Sequence, residues 1–238
     1  MTLKEVLIFL KENKNEANLK GMLHFGINIE KTYGLSIPEL RRLAGRIGTD
    51  HKLALSLYKT GIHECKVLAS IIDDPARVTE AQMESWVKGF NSWDVTDSAT
   101  TNLFDLSPLA WKKAKEWSRR NPEYEKRAAF SLMAGLALHD LVSSDEKFEK
   151  FYPYIIEGAF DERNFVKKAV NWALRNIGKR SRGLNRSALK LCKRLLRQGS
   201  SSANWIARDA IRELKGEIAQ RRIKAAENKR KNNLKRKT

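Results

Sequence analysis

Three short segments bring aromatic, acidic and basic side chains close together in this chain. The first, Asn91-Ser92-Trp93-Asp94-Val95-Thr96-Asp97, sets Trp93 and Asp97 four residues apart, on one face if the segment begins a helix. The same residues also fit a structural reading, with Trp93 in the core and Asp94 or Thr96 capping the helix. The second, Tyr124-Glu125-Lys126-Arg127-Ala128-Ala129-Phe130, sets Arg127 among small and apolar residues. A guanidinium there can clamp a phosphate or pair with a carboxylate of another helix. The third runs from Phe165 to Arg180 and holds Trp172 with Lys168, Arg175 and Lys179. The three cations recur at helical spacing as one ridge, and an indole among them suits stacking on a base or sugar beside phosphate contacts. A core tryptophan with a solvated basic face is the alternative.

Other chemistries lack their signatures. There is no glycine loop for a nucleotide phosphate, no His–Glu metal motif and no Gly-x-Ser-x-Gly turn. His24, His51, His63 and His139 show no ligand spacing, so structural or surface roles are expected. Cys65 and Cys192 are lone thiols. Neither a metal nor another cofactor is expected, and with no disulfide framework or membrane-length apolar run the expected compartment is the cytoplasm, at the nucleoid. The amphipathic start lacks the apolar block of a signal peptide.

The charge is strongly segregated. Residues 1–160 hold 22 Lys+Arg and 22 Asp+Glu, whereas residues 161–238 hold 24 against 6 and carry the whole net charge of +18. A solubilising excess would need no such asymmetry, so a polyanion-binding surface is expected, nucleic acid ahead of lipid.

Apolar residues recur at helical spacing and no alternating β-branched stretch competes, so an all-α fold is expected. Helices are predicted over 3–10, 35–47, 50–60, 63–73, 79–90, 95–104, 108–119, 122–138, 145–157, 162–178, 184–196 and 201–215. Ser36 is the expected N-cap of the second, with Pro38 and Glu39 in its first turn. Helix pairs recurring every 35–40 residues would build a superhelical solenoid of HEAT-like repeats over 1–215, with a compact bundle as competitor. Residues 216–238, with 9 Lys+Arg against 2 Asp+Glu, lose apolar periodicity and read as a disordered basic tail.

With these segments in place, the chain resembles the AlkD-type DNA alkylation repair glycosylases. The resemblance rests on Tyr33–Arg41, Asn91–Asp97, Lys126–Phe130 and Val166–Arg175, and covers roughly residues 20–215. It implies a HEAT-like solenoid cradling duplex DNA, and hydrolysis of the N-glycosidic bond of cationic alkylated purines, N3-alkyladenine and N7-alkylguanine. The family acts without flipping the damaged base into a deep pocket. Carried over residue by residue, the resemblance implies catalytic roles for Asp97, Trp93 and Trp172, with Arg127 on the DNA backbone. Lys168, Arg175 and Lys179 would grip phosphates. Phe25 aligns with a family tyrosine, a departure that keeps the aromatic wall and removes a hydroxyl. The implied partner is duplex DNA carrying alkylated bases, bound by a monomer. Two other readings stay open: a non-catalytic helical-repeat protein binding branched or damaged DNA, and a scaffold for an acidic protein.

Overall fold

The computed structural model describes residues 1–235, with side chains through 228. Among these residues every regular element is helical, as the apolar periodicity predicts. The chain divides into two compact units, residues 1–109 and 110–238.

The first unit contains α1 (Leu3–Glu12), α2 (Glu16–His24), α3 (Ile37–Ile47), α4 (His51–Lys59), α5 (His63–Ile72), α6 (Glu80–Lys88) and α7 (Trp93–Asn102). Ser36 caps α3 as expected, and the Glu39 carboxylate accepts from both its backbone N–H and its hydroxyl at 2.7 and 2.6 Å. α5 is the central element and packs against α3, α4 and α7. Its buried Glu64 carboxylate accepts from the Thr32 hydroxyl and from the backbone N–H groups of Tyr33 and Gly34, at 2.6, 2.9 and 2.7 Å. That one oxygen holds the loop leading into α3. Gly34 has φ +84°, and a Cβ on it would meet the Asn15 carbonyl oxygen at 2.2 Å, so only glycine fits this turn.

The second unit contains α8 (Ala110–Trp117), α9 (Glu123–His139), α10 (Asp145–Glu149), α11 (Tyr152–Gly158), α12 (Asn164–Gly178), α13 (Arg182–Leu195), α14 (Ser201–Lys215) and α15 (Glu217–Lys235). Helix α12 packs between α9 and α14, with α13 against both α12 and α14. The repeat is legible in the hydrogen bonds. Arg127 to Phe165, Glu149 to Ser187, Glu162 to Ser200, Asn171 to Asp209 and Arg175 to Glu213 each span 38 residues. A constant offset means that each element meets the equivalent one in the next repeat, within the 35–40-residue period expected from the sequence.

Three local readings are corrected. Helix α2 has no buried residue, so no apolar periodicity announced it. The helix expected over 145–157 is two, because Pro153 lacks an N–H and its ring opposes the carbonyl four residues earlier. Of the segment expected as a disordered tail, 216–238, Glu217–Lys235 is helix α15, in which Ala219 and Ile223 are buried, and 236–238 lie outside the described residues. Two apolar contacts one turn apart hold its start on α14 and are too few to show as a periodic pattern.

Candidate nucleic-acid interface

In the first unit the site is built on the N-terminus of α7. Ser92 precedes the helix in extended conformation, and its carbonyl accepts from the Thr96 hydroxyl at 2.7 Å. Trp93 is therefore the first helical residue and Asp97 follows one turn later, both half-buried. The Trp93 indole N–H donates to the Phe25 carbonyl at 3.0 Å. Phe25 is the C-cap of α2 and is 66% exposed, and it is its backbone carbonyl that meets the indole. The Asp97 carbonyl accepts from the Thr100 and Thr101 hydroxyls at 3.2 and 2.7 Å.

Asp94 does a different job from Asp97. One carboxylate oxygen accepts from the Val95 N–H at 2.9 Å and the Ser92 hydroxyl at 2.7 Å, and the other lies 2.6 Å from His63 Nε2. Burial raises its pKa, but the hydrogen bond and charge of His63, with the Ser92 and Val95 donors, outweigh that and hold it below the usual value. An ionised Asp94 fixes the imidazole with its Nε2 proton donated. His63 is only 6% exposed and opens α5, so the pair bolts the first turn of α7 to the first turn of α5. The sequence offered Asp94 as a cap and His63 as structural. Their pairing spans 31 residues and leaves no local signal.

In the second unit the expected residues have unequal surroundings. Arg127 is 5% exposed, and its guanidinium donates to the Phe165 carbonyl at 2.6 Å. It thus ties α9 to the first turn of α12. Trp172 is half-buried and Lys168 exposed on α12. Arg175 and Lys179, expected as phosphate grips, are both ion-paired with Glu213 of α14, Lys179 Nζ at 2.6 Å, and Arg175 also lies 3.6 Å from Asp209. Burial raises the Glu213 pKa, yet the two cations more than compensate and hold it low. The ridge is therefore not a row of three equal contacts. Lys168 faces solvent at one end, and the other end is largely neutralised by α14.

Sequence reading also passed over Trp205 of α14. It is 41% exposed, with Lys167 Nζ 5.5 Å from its ring centroid. The partners are again 38 positions apart, so only the repeat period could have pointed to them.

Among the described residues no cluster of three or more His, Cys, Asp or Glu could hold a metal ion, and no helix is long and apolar enough to cross a membrane.

These helices, and the residues they place, match known proteins. The chain is similar to a solved protein described as representing a new family of proteins related to the HEAT-like repeat DNA glycosylases with affinity for branched DNA structures. The two share 21% identity with a TM-score of 0.74, over 89% of this chain and 95% of the other. At that identity the likeness establishes the fold, a HEAT-like helical repeat. No curated protein matches the chain. The sequence pattern of the DNA alkylation repair enzymes matches residues 8–214, nearly the whole helical array, and the chain belongs to that family.

Proposed function

We propose that this protein is a monofunctional DNA N-glycosylase that removes cationic N3-alkyladenine and N7-alkylguanine from duplex DNA, acting as a monomer without a cofactor. The observation that carries the reading is the half-buried Trp93–Asp97 pair one turn apart on α7, with the indole N–H on the Phe25 carbonyl, in a member of this repair family.

The chemistry suits so spare a site. A purine alkylated at N3 or N7 is already positively charged and leaves without a general acid. As the bond breaks, positive charge develops on the sugar. A carboxylate held in place beforehand stabilises that charge and orients the attacking water. Asp97 takes this role as the carboxylate one helical turn from Trp93 on α7, while Asp94 holds His63. Trp93 packs on the deoxyribose with Phe25 as an aromatic wall, and Trp172 gives the second unit an aromatic contact to DNA. Lys168 contacts phosphate directly. Arg127, with its guanidinium on the Phe165 carbonyl, supports α12 and adds positive field at the backbone. Arg175 and Lys179 contribute mainly through the field that remains after pairing with Glu213.

The test is release of free 7-methylguanine and 3-methyladenine from methylated duplex DNA by the purified full chain. Appearance of either base supports the proposal, and release of neither refutes it. The second reading, a non-catalytic binder of branched DNA, is favoured by the affinity ascribed to the solved relative. It would show as tight binding to branched DNA with no base released.

A further inference from the structure

Helices α12 and α14 face each other through a ladder of side chains four residues apart on each helix. Asn171 donates to the Asp209 carboxylate at 2.7 Å, while Arg175 and Lys179 share Glu213. One turn earlier the pattern predicts a carboxylate at position 205 opposite Lys167. The chain places an indole there instead, and Lys167 Nζ lies 5.5 Å from its centroid. The substitution has two consequences. The ladder's one large aromatic group is 41% exposed, and the neutralisation seen at the upper rungs is missing at this one. Glu162 is near enough to feel the Lys167 charge, but its carboxylate accepts from the Ser202 N–H and the Ser200 and Ser201 hydroxyls at the start of α14. Lys168 on α12 is exposed, and so is Arg208, one turn beyond Trp205.

An exposed indole with Lys167 at its ring, and with the exposed Lys168 and Arg208 on the same two helices, presents a flat π-face close in the chain to phosphate-binding groups. Base stacking needs that face, and a continuous duplex does not offer its bases for it, because they are already stacked on one another. We propose that Trp205, with Lys167, Lys168 and Arg208, is a stacking site for an unpaired nucleotide, which makes the protein prefer DNA with bulged, unpaired nucleotides over uninterrupted duplex. The inference rests on the reading of this chain as a DNA-binding protein and assigns that preference to one face of α14. The base stacks on the indole, while Lys168 and Arg208 hold its flanking phosphates. Lys167 keeps the ring in place from its inner side.

The experiment measures fluorescence anisotropy affinities for two duplexes of equal length at fixed salt, one fully paired and one with a short bulge of unpaired thymines. The wild type is expected to prefer the bulged duplex. Trp205→Ala should lose about tenfold on the bulged duplex and less than about twofold on the paired one, since stacking of one base is worth roughly that factor. Trp205→Phe should keep most of the preference, and bulged DNA should quench the tryptophan emission of the wild type more than that of Trp205→Phe. Equal losses on both duplexes, a wild type without preference, or displacement of the bulged DNA by an acidic peptide of equal charge would each overturn the proposal. A wild type that binds neither duplex would instead defeat the DNA-binding reading on which it rests.

Discussion

The two units of this protein use their carboxylates in different ways. Residues 1–109 hold 13 Lys+Arg and 14 Asp+Glu, whereas residues 110–238 hold 33 against 14. In the first unit buried carboxylates organise imidazoles, an amide and backbone N–H groups: Asp94 holds His63, Asp73 lies 2.6 Å from His51 and accepts from Gln82, and Glu64 fixes the loop at Tyr33. In the second they answer cations: Glu213 pairs with Arg175 and Lys179, and Asp161 with Lys126 and Arg163. One unit thus has the internal order needed to hold a reactive carboxylate, and the other has the uncompensated charge needed to hold a polyanion. Under the proposed function, catalysis and affinity are then separable, and variants in one unit should leave the other property largely intact.

Apart from loss of the Asp97 carboxylate itself, the largest separation should come from Trp93→Ala. Single-turnover base release should fall about a hundredfold, because misplacing a positioned sugar costs that much, while DNA affinity changes less than about threefold. A parallel loss in both would break the comparison. Next, Gly158→Ala probes the second unit as scaffold. A Cβ there would meet the Phe130 ring at 2.3 Å, so urea unfolding should show destabilisation by about 1–3 kcal/mol, the usual cost of overpacking. Lys168→Ala should act on affinity alone. The slope of log affinity against log salt should fall by roughly one, as for one lost phosphate contact, and an unchanged slope would remove Lys168 from the interface.

The smallest effect is a pH dependence. Burial raises the pKa of Asp161, but Arg163 and Lys126 pull it down to about 2, below the value of about 3.9 for an unfolded aspartate. A depressed folded-state pKa gives stability that is present above pH about 4 and lost as the pH falls toward 2. The urea midpoint should drop over that range, and less so in Asp161→Asn.

Much of this comparison could be read in the sequence, and what could not shares one physical cause. Helices with a buried stripe, such as α3, α12 and α13, appear as apolar periodicity, and the Trp93–Asp97 spacing follows from helical geometry alone. The asymmetry of charge was equally plain. Helix α2 escaped because it buries no residue, and α15 because, among its described side chains, Ala219 and Ile223 alone are buried. The site contacts that escaped join residues 31 to 38 positions apart: His63 with Asp94, Lys179 and Arg175 with Glu213, Lys167 with Trp205. Composition shows cations at 175 and 179 but not the carboxylate that a neighbouring repeat sets against them. A repeat protein makes its decisive contacts at the repeat distance, and windows a few turns long do not reach it.

The central claim is that Asp97 stabilises the sugar cation while the basic unit supplies affinity. Single-turnover release of 7-methylguanine by Asp97→Asn, with DNA affinity measured on the same preparation, tests it most directly. The expected result is a loss of at least about a hundredfold in release, the scale of removing one preorganised electrostatic group, with affinity unchanged within about twofold. Release within a few-fold of the wild type would contradict it.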